Sequence, residues 1–225
     1  HSEFILKPES VDTLPNIVKQ YEEPFADSSA LPTYFLSELT RKQVTVALCG
    51  DGGDENFAGY TRYNAFKTYL TYTTSIPLFK LFVQRYKKIN IEHTDFRYLY
   101  ADMMSYFTKS DKKKLYSRRF QERFGESDSA MMLVDILASS GSEDKIDQVL
   151  FADYSSYLPN DLMVKVDIAS MAHGLEARSP FLDHEFIELT AKIPSQLKLK
   201  GLTQNKYIFK KALAEILPHE IIHRK

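Results

Sequence analysis

Half of this chain's glycine is concentrated in one loop. Only 8 of 225 residues are glycine, against a usual share of roughly 7%, yet Gly50, Gly52, Gly53 and Gly59 lie within a single short segment. That segment follows Val44-Thr45-Val46-Ala47-Leu48, a compact β-branched run of the kind buried in a parallel sheet. Ahead of the run, Glu23–Ser29 reads as a loop ending in helix-capping residues, and an amphipathic helix is expected from about Pro32 to Lys42. Helix, strand and glycine loop in that order define an α/β unit. In such units ligands bind outside the carboxyl end of a strand.

The chemistry of the loop is set by its acids. Glycines let a backbone approach a ligand closely, and peptide N–H groups at a helix start favour an anion such as phosphate. Asp51, Asp54 and Glu55 occupy the same loop and would repel phosphate unless a cation lay between. The combination asks for Mg²⁺ bridging to a polyphosphate, or for a cationic substrate group. A purely structural acidic turn is the competing reading. Neither the Walker nor the dinucleotide glycine pattern is present, and the acid spacing does not match an EF-hand. Cys49, which closes the strand with no His near it in sequence, reads as a small core residue and not as a nucleophile.

Composition narrows the rest. With 29 basic against 30 acidic residues the formal charge is −1, which argues against a surface devoted to nucleic acid or anionic lipid. No apolar run approaches the roughly 18 residues of a membrane helix, and the single cysteine excludes an internal disulfide and fits a reducing, cytoplasmic compartment. The chain starts at His1 without a charged-then-apolar leader, so a piece of a longer protein is expected.

Elsewhere the patterns are mainly helical. Glu3–Lys7 is a short strand candidate, and a helical pattern starts at Pro8 and Glu9 and runs through Val11, Leu14, Ile17 and Val18, with Pro15 counting against it. Beyond Tyr60 convincing strands disappear. Tyr60, Tyr63, Phe66, Tyr69 and Tyr72 form a stripe better read as a core-packed helix face than as a ladder for stacking bases. Between Pro77 and Glu126, twelve basic residues face six acids and read as solvated helix faces. Ser140-Gly141-Ser142 is a loop, after which helices resume near Lys145. A helix is expected from about Pro159 to His173, capped by Gly174, with Asp161 and Lys165 at the spacing of an intrahelical ion pair. His173 is expected to support the end of that helix.

Two segments carry a family resemblance. Gly50-Asp51-Gly52-Gly53-Asp54-Glu55, followed by Phe57, Gly59, Tyr60, Arg62 and Tyr63, resembles the S-G-D-G-G-D-E-L-F-G-G-Y-x-R-Y segment of asparagine synthetases. Ser170-Met171-Ala172 and Glu176 to Asp183 are similar to a second stretch of the same enzymes, and Lys206-Tyr207-Ile208 and His223-Arg224-Lys225 fit their closing helix and the start of their lysine-rich loop. The resemblance implies an α/β fold with a partial parallel sheet of the ATP-pyrophosphatase (adenine nucleotide alpha-hydrolase-like) kind, mainly helical after residue 60. It implies that residues 1–225 are the C-terminal part of an ATP-dependent amide-forming domain. The implied reaction adenylates the β-carboxylate of aspartate with ATP and Mg²⁺, and ammonia drawn from glutamine then displaces AMP. Cys49, where the family usually has Ser, and Gly50 would lie against the nucleotide. Asp54 matches an acid that helps hold Mg²⁺. Asp51 matches the position facing the reacting acyl group, with Glu55 beside it, and Lys206 matches a lysine near the phosphates.

The departures set limits on what this chain does alone. The family's S-G-G-x-D-S pyrophosphate loop and its glutaminase domain do not occur in these residues. The family's catalytic lysine falls by register one residue beyond Lys225, which leaves Lys225 as a candidate. The expectation is an inactive fragment, with homo-oligomer formation left open. Ala58 replaces a glycine and Asn56 an apolar residue, changes that read as compatible with a surface. Amidation of another carboxyl substrate, such as an antibiotic or cell-wall precursor, and a non-catalytic binding module are the alternatives.

Overall fold

The computed structural model describes residues 3, 5, 12–75, 95–125 and 127–222. The strand candidate at 3–7, the helix start at Pro8, Lys80, Arg85, Lys87, Lys88 and the final His223-Arg224-Lys225 lie wholly or mainly outside them. Two compact units emerge: residues 1–53 with 154–192, and residues 54–153 with 193–225.

The first unit holds the sheet. Helix α1 (Leu14–Tyr21) places Pro15 in its first turn, where a missing N–H costs nothing, so the proline is compatible with the helix. Helix α2 (Ala30–Arg41) leads to strand β1 (Val46–Leu48). β1 pairs in parallel with β2 (Glu176–Arg178) in the register Val46↔Glu176, Ala47↔Ala177 and Leu48↔Arg178. Two expectations change here. β2 appears in a region that showed no strand pattern, because Glu-Ala-Arg has neither alternation nor β-branching and becomes a strand only by pairing. The β1 side chains are also not buried: Leu48 is 73% exposed, since a two-stranded sheet leaves much of each strand uncovered.

The expected helix at 159–173 is composite. A π-helical segment, Asp153–Leu162, contains Pro159, which has no N–H to donate. Met163–Met171 then continues as an α-helix, and Gly174 ends it with φ +66° as expected. Because Asp161 lies in the π segment, the four-residue spacing does not pair it with Lys165 as it would on an α-helix. Lys165 Nζ instead meets Asp27 Oδ2 and Ser29 Oγ, each at 2.8 Å. Around this tie, Ile17, Tyr21 and Ala30 pack with Phe25, Leu31, Tyr34, Val164 and Ile168. His173 stands edge-on to Tyr34 with its Nε2 buried and without a hydrogen-bond partner, a packing role at the helix end.

The second unit is helical among its described residues. The helix Thr61–Ser75 presents Tyr63 and Phe66, both fully buried, to a core with Leu99, Tyr100, Leu137, Val149 and Leu199. The aromatic stripe is therefore a core face, with Tyr72 at its exposed end. Ser140-Gly141-Ser142 is a loop, and a helix resumes at Lys145.

Candidate functional site

The glycine loop spans the division between the two units. In the first unit the chain leaves β1 at Cys49, whose N–H donates to the Arg178 carbonyl at 2.8 Å and extends the parallel ladder by one residue. Gly53 N–H donates to the Gly50 carbonyl at 3.2 Å, closing a turn. Ser179, just beyond β2, donates its hydroxyl to the Asp51 carbonyl. Gly52 has φ +86°, and a Cβ there would run into the Leu182 side chain, so both conformation and space call for glycine. Among the described residues other than its chain neighbours, no atom comes within 4 Å of a Cβ built on Gly50, so its backbone is open to approach.

At the carboxyl ends of both strands lies a cavity of about 450 Å³. Cys49, Met163, Asp167, Ser170, Ser179 and Leu182 are among its lining residues. Its size and mostly apolar wall with a few polar groups suit a small organic ligand. Burial pushes the Cys49 thiol above its ordinary pKa, and neighbouring Asp51 adds to the shift. A nucleophilic thiolate is thereby disfavoured.

In the second unit the short helix that begins at Gly53 carries Asp54 and Glu55 side by side with opposite fates. Asp54 remains accessible, and its Oδ1 meets Lys206 Nζ at 2.9 Å. Gly59 explains the closeness of that pair: a Cβ on it would overlap Asp54 Oδ1 and Lys206 Cε. Glu55 is only 3% exposed, and its Oε1 accepts from Tyr60 Oη at 2.7 Å while Oε2 is buried without a hydrogen-bond partner among the described residues. Burial raises the Glu55 pKa; the Tyr60 hydroxyl opposes the shift, and the Asp54 and Asp153 charges reinforce it.

The turn after this helix is fastened to the segment around Lys206. Asn205 Nδ2 donates to the carbonyls of Ala58, Gly59 and Tyr60 at 2.8, 3.2 and 3.1 Å. Lys206 N–H donates to Phe57 O at 3.1 Å, and the Phe57 ring stacks on Phe209 at 4.7 Å. Two non-glycine residues here adopt left-handed backbone, Ala58 with φ 54° and Lys206 with φ 53°. The expectation that Ala58 and Asn56 are surface changes is overturned, because both are buried, and the left-handed backbone at Ala58 gives a physical reason for a glycine at that position.

Sequence reasoning missed Asp153. It is fully buried, and its Oδ2 accepts from Arg62 Nη2 at 2.6 Å, Tyr63 Oη at 2.5 Å and Tyr100 Oη at 2.7 Å. The one available signal was an acid closing the apolar run Val149-Leu150-Phe151-Ala152. Burial alone would depress the Arg62 pKa, but the Asp153 carboxylate outweighs it and holds the guanidinium above its ordinary value. Burial, reinforced by Asp153, raises the Tyr63 and Tyr100 hydroxyls and keeps them as neutral donors.

No group of three or more His, Cys, Asp or Glu side chains placed to hold a metal occurs among the described residues. An accessible carboxylate such as Asp54 suits the way Mg²⁺ is held beside phosphates, by one or two carboxylates with the remaining positions filled by phosphate oxygens and water.

The family model for asparagine synthase matches residues 1–225. The chain belongs to the asparagine synthase family. It is 31% identical over 236 residues to asparagine synthetase [glutamine-hydrolyzing] 1 of Bacillus subtilis (strain 168), a match covering 100% of this chain and 36% of that protein. A putative asparagine synthetase [glutamine-hydrolyzing] of Mycobacterium bovis is 29% identical over 247 residues, covering 96% of this chain and 34% of that protein. The asparagine synthetase of Gallus gallus is 34% identical over 64 residues, 28% of this chain. The chain spans about a third of the length of the bacterial relatives it matches.

Proposed function

We propose that residues 1–225 form the C-terminal part of an ATP-dependent amide-forming domain of the ATP-pyrophosphatase kind, and that the full-length protein makes asparagine from aspartate. The observation that carries this reading is the cavity at the carboxyl ends of two parallel strands, reached through Cys49 and followed at once by the acidic glycine loop. The adenosine part of ATP fits the cavity, with the open Gly50 backbone against it. An aspartate β-carboxylate oxygen attacks the α-phosphorus, forming β-aspartyl-AMP as pyrophosphate leaves. Ammonia, supplied by glutamine hydrolysis in the full-length protein, attacks the acyl carbon; AMP departs with the C–O bond pair and a proton is released. Asp51 is assigned to the acyl group, where its carboxylate takes up that proton. Lys206 offsets charge developing on pyrophosphate, and Lys225 is a candidate for the catalytic lysine of the family's lysine-rich loop. Asp54 would hold Mg²⁺, whose part is to neutralise phosphate charge.

The test is pyrophosphate release by the full-length protein with Mg²⁺, ATP, ammonia and aspartate. Asp51→Ala and Lys206→Ala should each lower kcat/KM at least about a hundredfold, in line with loss of one charge-stabilising or proton-handling group. Turnover with a different carboxylate and none with aspartate would sink the aspartate assignment. No turnover with any carboxylate would sink amide formation itself.

A further inference from the structure

We infer that Glu55 and Asp153, both buried, are positioning residues, joined through the half-buried Tyr60 and Arg62 into one chain of contacts that fixes the short helix carrying Asp54. The inference rests on the proposed amide-forming site and deepens it. The links are continuous. Glu55 Oε1 accepts from Tyr60 Oη at 2.7 Å. The Arg62 guanidinium lies 3.8 Å from the Tyr60 ring centroid, a cation–π distance. Arg62 Nη2 and Nε then meet Asp153 Oδ2 at 2.6 and 3.1 Å. Tyr63 and Tyr100 hold the same oxygen from the core side.

Geometry separates this role from a chemical one. A base or nucleophile must reach substrate, but the Glu55 side chain is turned inward and Asp153 is enclosed. Each still has one buried oxygen without a hydrogen-bond partner among the described residues, Glu55 Oε2 and Asp153 Oδ1. Such groups are costly in a core, which argues that these carboxylates do more than fill space. On a helix, adjacent side chains diverge, so drawing Glu55 inward turns neighbouring Asp54 outward to Lys206. Asn205 clamps the turn that follows this helix through three carbonyls. Asp54 is thus set from two sides, and Asp153 supports one of them from far along the sequence.

The test is a cycle of Glu55→Gln, Asp153→Asn and the double variant in the full-length protein. Expected is a rise of about tenfold in KM for MgATP with kcat within about threefold, and a double variant no worse than the poorer single variant, as coupled sites require. A hundredfold fall in kcat at unchanged KM for Glu55→Gln overturns the inference, as do additive effects. The same cycle read as melting temperature decides the coupling without activity: equal losses in the single and double variants support it, and summed losses overturn it. If the full-length protein turns over no carboxylate, the amide-forming reading fails, while the melting cycle still decides the network.

Discussion

Gly59 sets the tolerance of the acidic half-site at the level of single atoms. The atoms a Cβ would meet belong to the ends of two flexible side chains, Asp54 and Lys206, and not to backbone. Gly59→Ala should therefore leave the fold intact, within about 1 kcal/mol, but separate the Asp54–Lys206 pair. Isothermal titration with MgATP is expected to show affinity at least about tenfold weaker at nearly unchanged melting temperature; unchanged affinity would refute the arrangement. Glu55 gives a pH-dependent prediction. Its pKa is raised in the folded protein, so its contribution is fully present below the unfolded value of about 4.3 and is lost as pH rises through the folded value. Glu55→Gln, which cannot ionise, should gain stability relative to the parent as pH rises from about 4 to 7. Urea midpoints across that range would show it, and a Gln variant that loses ground to the parent as pH rises would contradict it.

At the scale of elements, the first unit is tied together by polar contacts as well as by packing. Lys165, on the α-helical stretch Met163–Met171, holds the Asp27–Ser29 loop ahead of α2. Burial would raise the Asp27 pKa, but hydrogen bonds from Lys165 and Ser29 overcome it and leave the carboxyl below its ordinary value. A depressed carboxyl pKa stabilises the fold above the unfolded value of about 3.9, and that stability is lost as pH falls through the folded value. Asp27→Asn should cost about 1.5–3 kcal/mol near pH 7, as hydrogen bonds to charged groups do, and the deficit should close as pH falls from about 5 to 2. A deficit constant with pH in denaturant titrations would rule this out. The elements also show what local sequence carries. β1 and its glycine loop were legible because β-branching, glycine and acids sit within fifteen residues of one another. β2 was not, because three polar-to-small residues become a strand only through a partner far away in sequence.

For the whole molecule, the limit of legibility is distance along the chain. Asp51, Asp54 and Glu55 were readable together, whereas Asp153 became a hub only when the fold brought Arg62, Tyr63 and Tyr100 around it. The proposed reaction has the same dependence on distant residues. It must stabilise charge on both the adenylated acyl group and departing pyrophosphate, and such stabilisation comes from several preorganised groups acting together. These 225 residues supply Asp51, Asp54 and Lys206 but no S-G-G-x-D-S sequence, and they match only about a third of the relatives' length. The isolated chain is accordingly expected to show no aspartate-dependent pyrophosphate release, while the full-length protein does. The assay is a coupled pyrophosphate measurement on both proteins at equal concentration, with saturating MgATP, aspartate and ammonia. Comparable turnover by the isolated chain would mean that the groups assigned here suffice, and that the phosphate loop is dispensable to the chemistry.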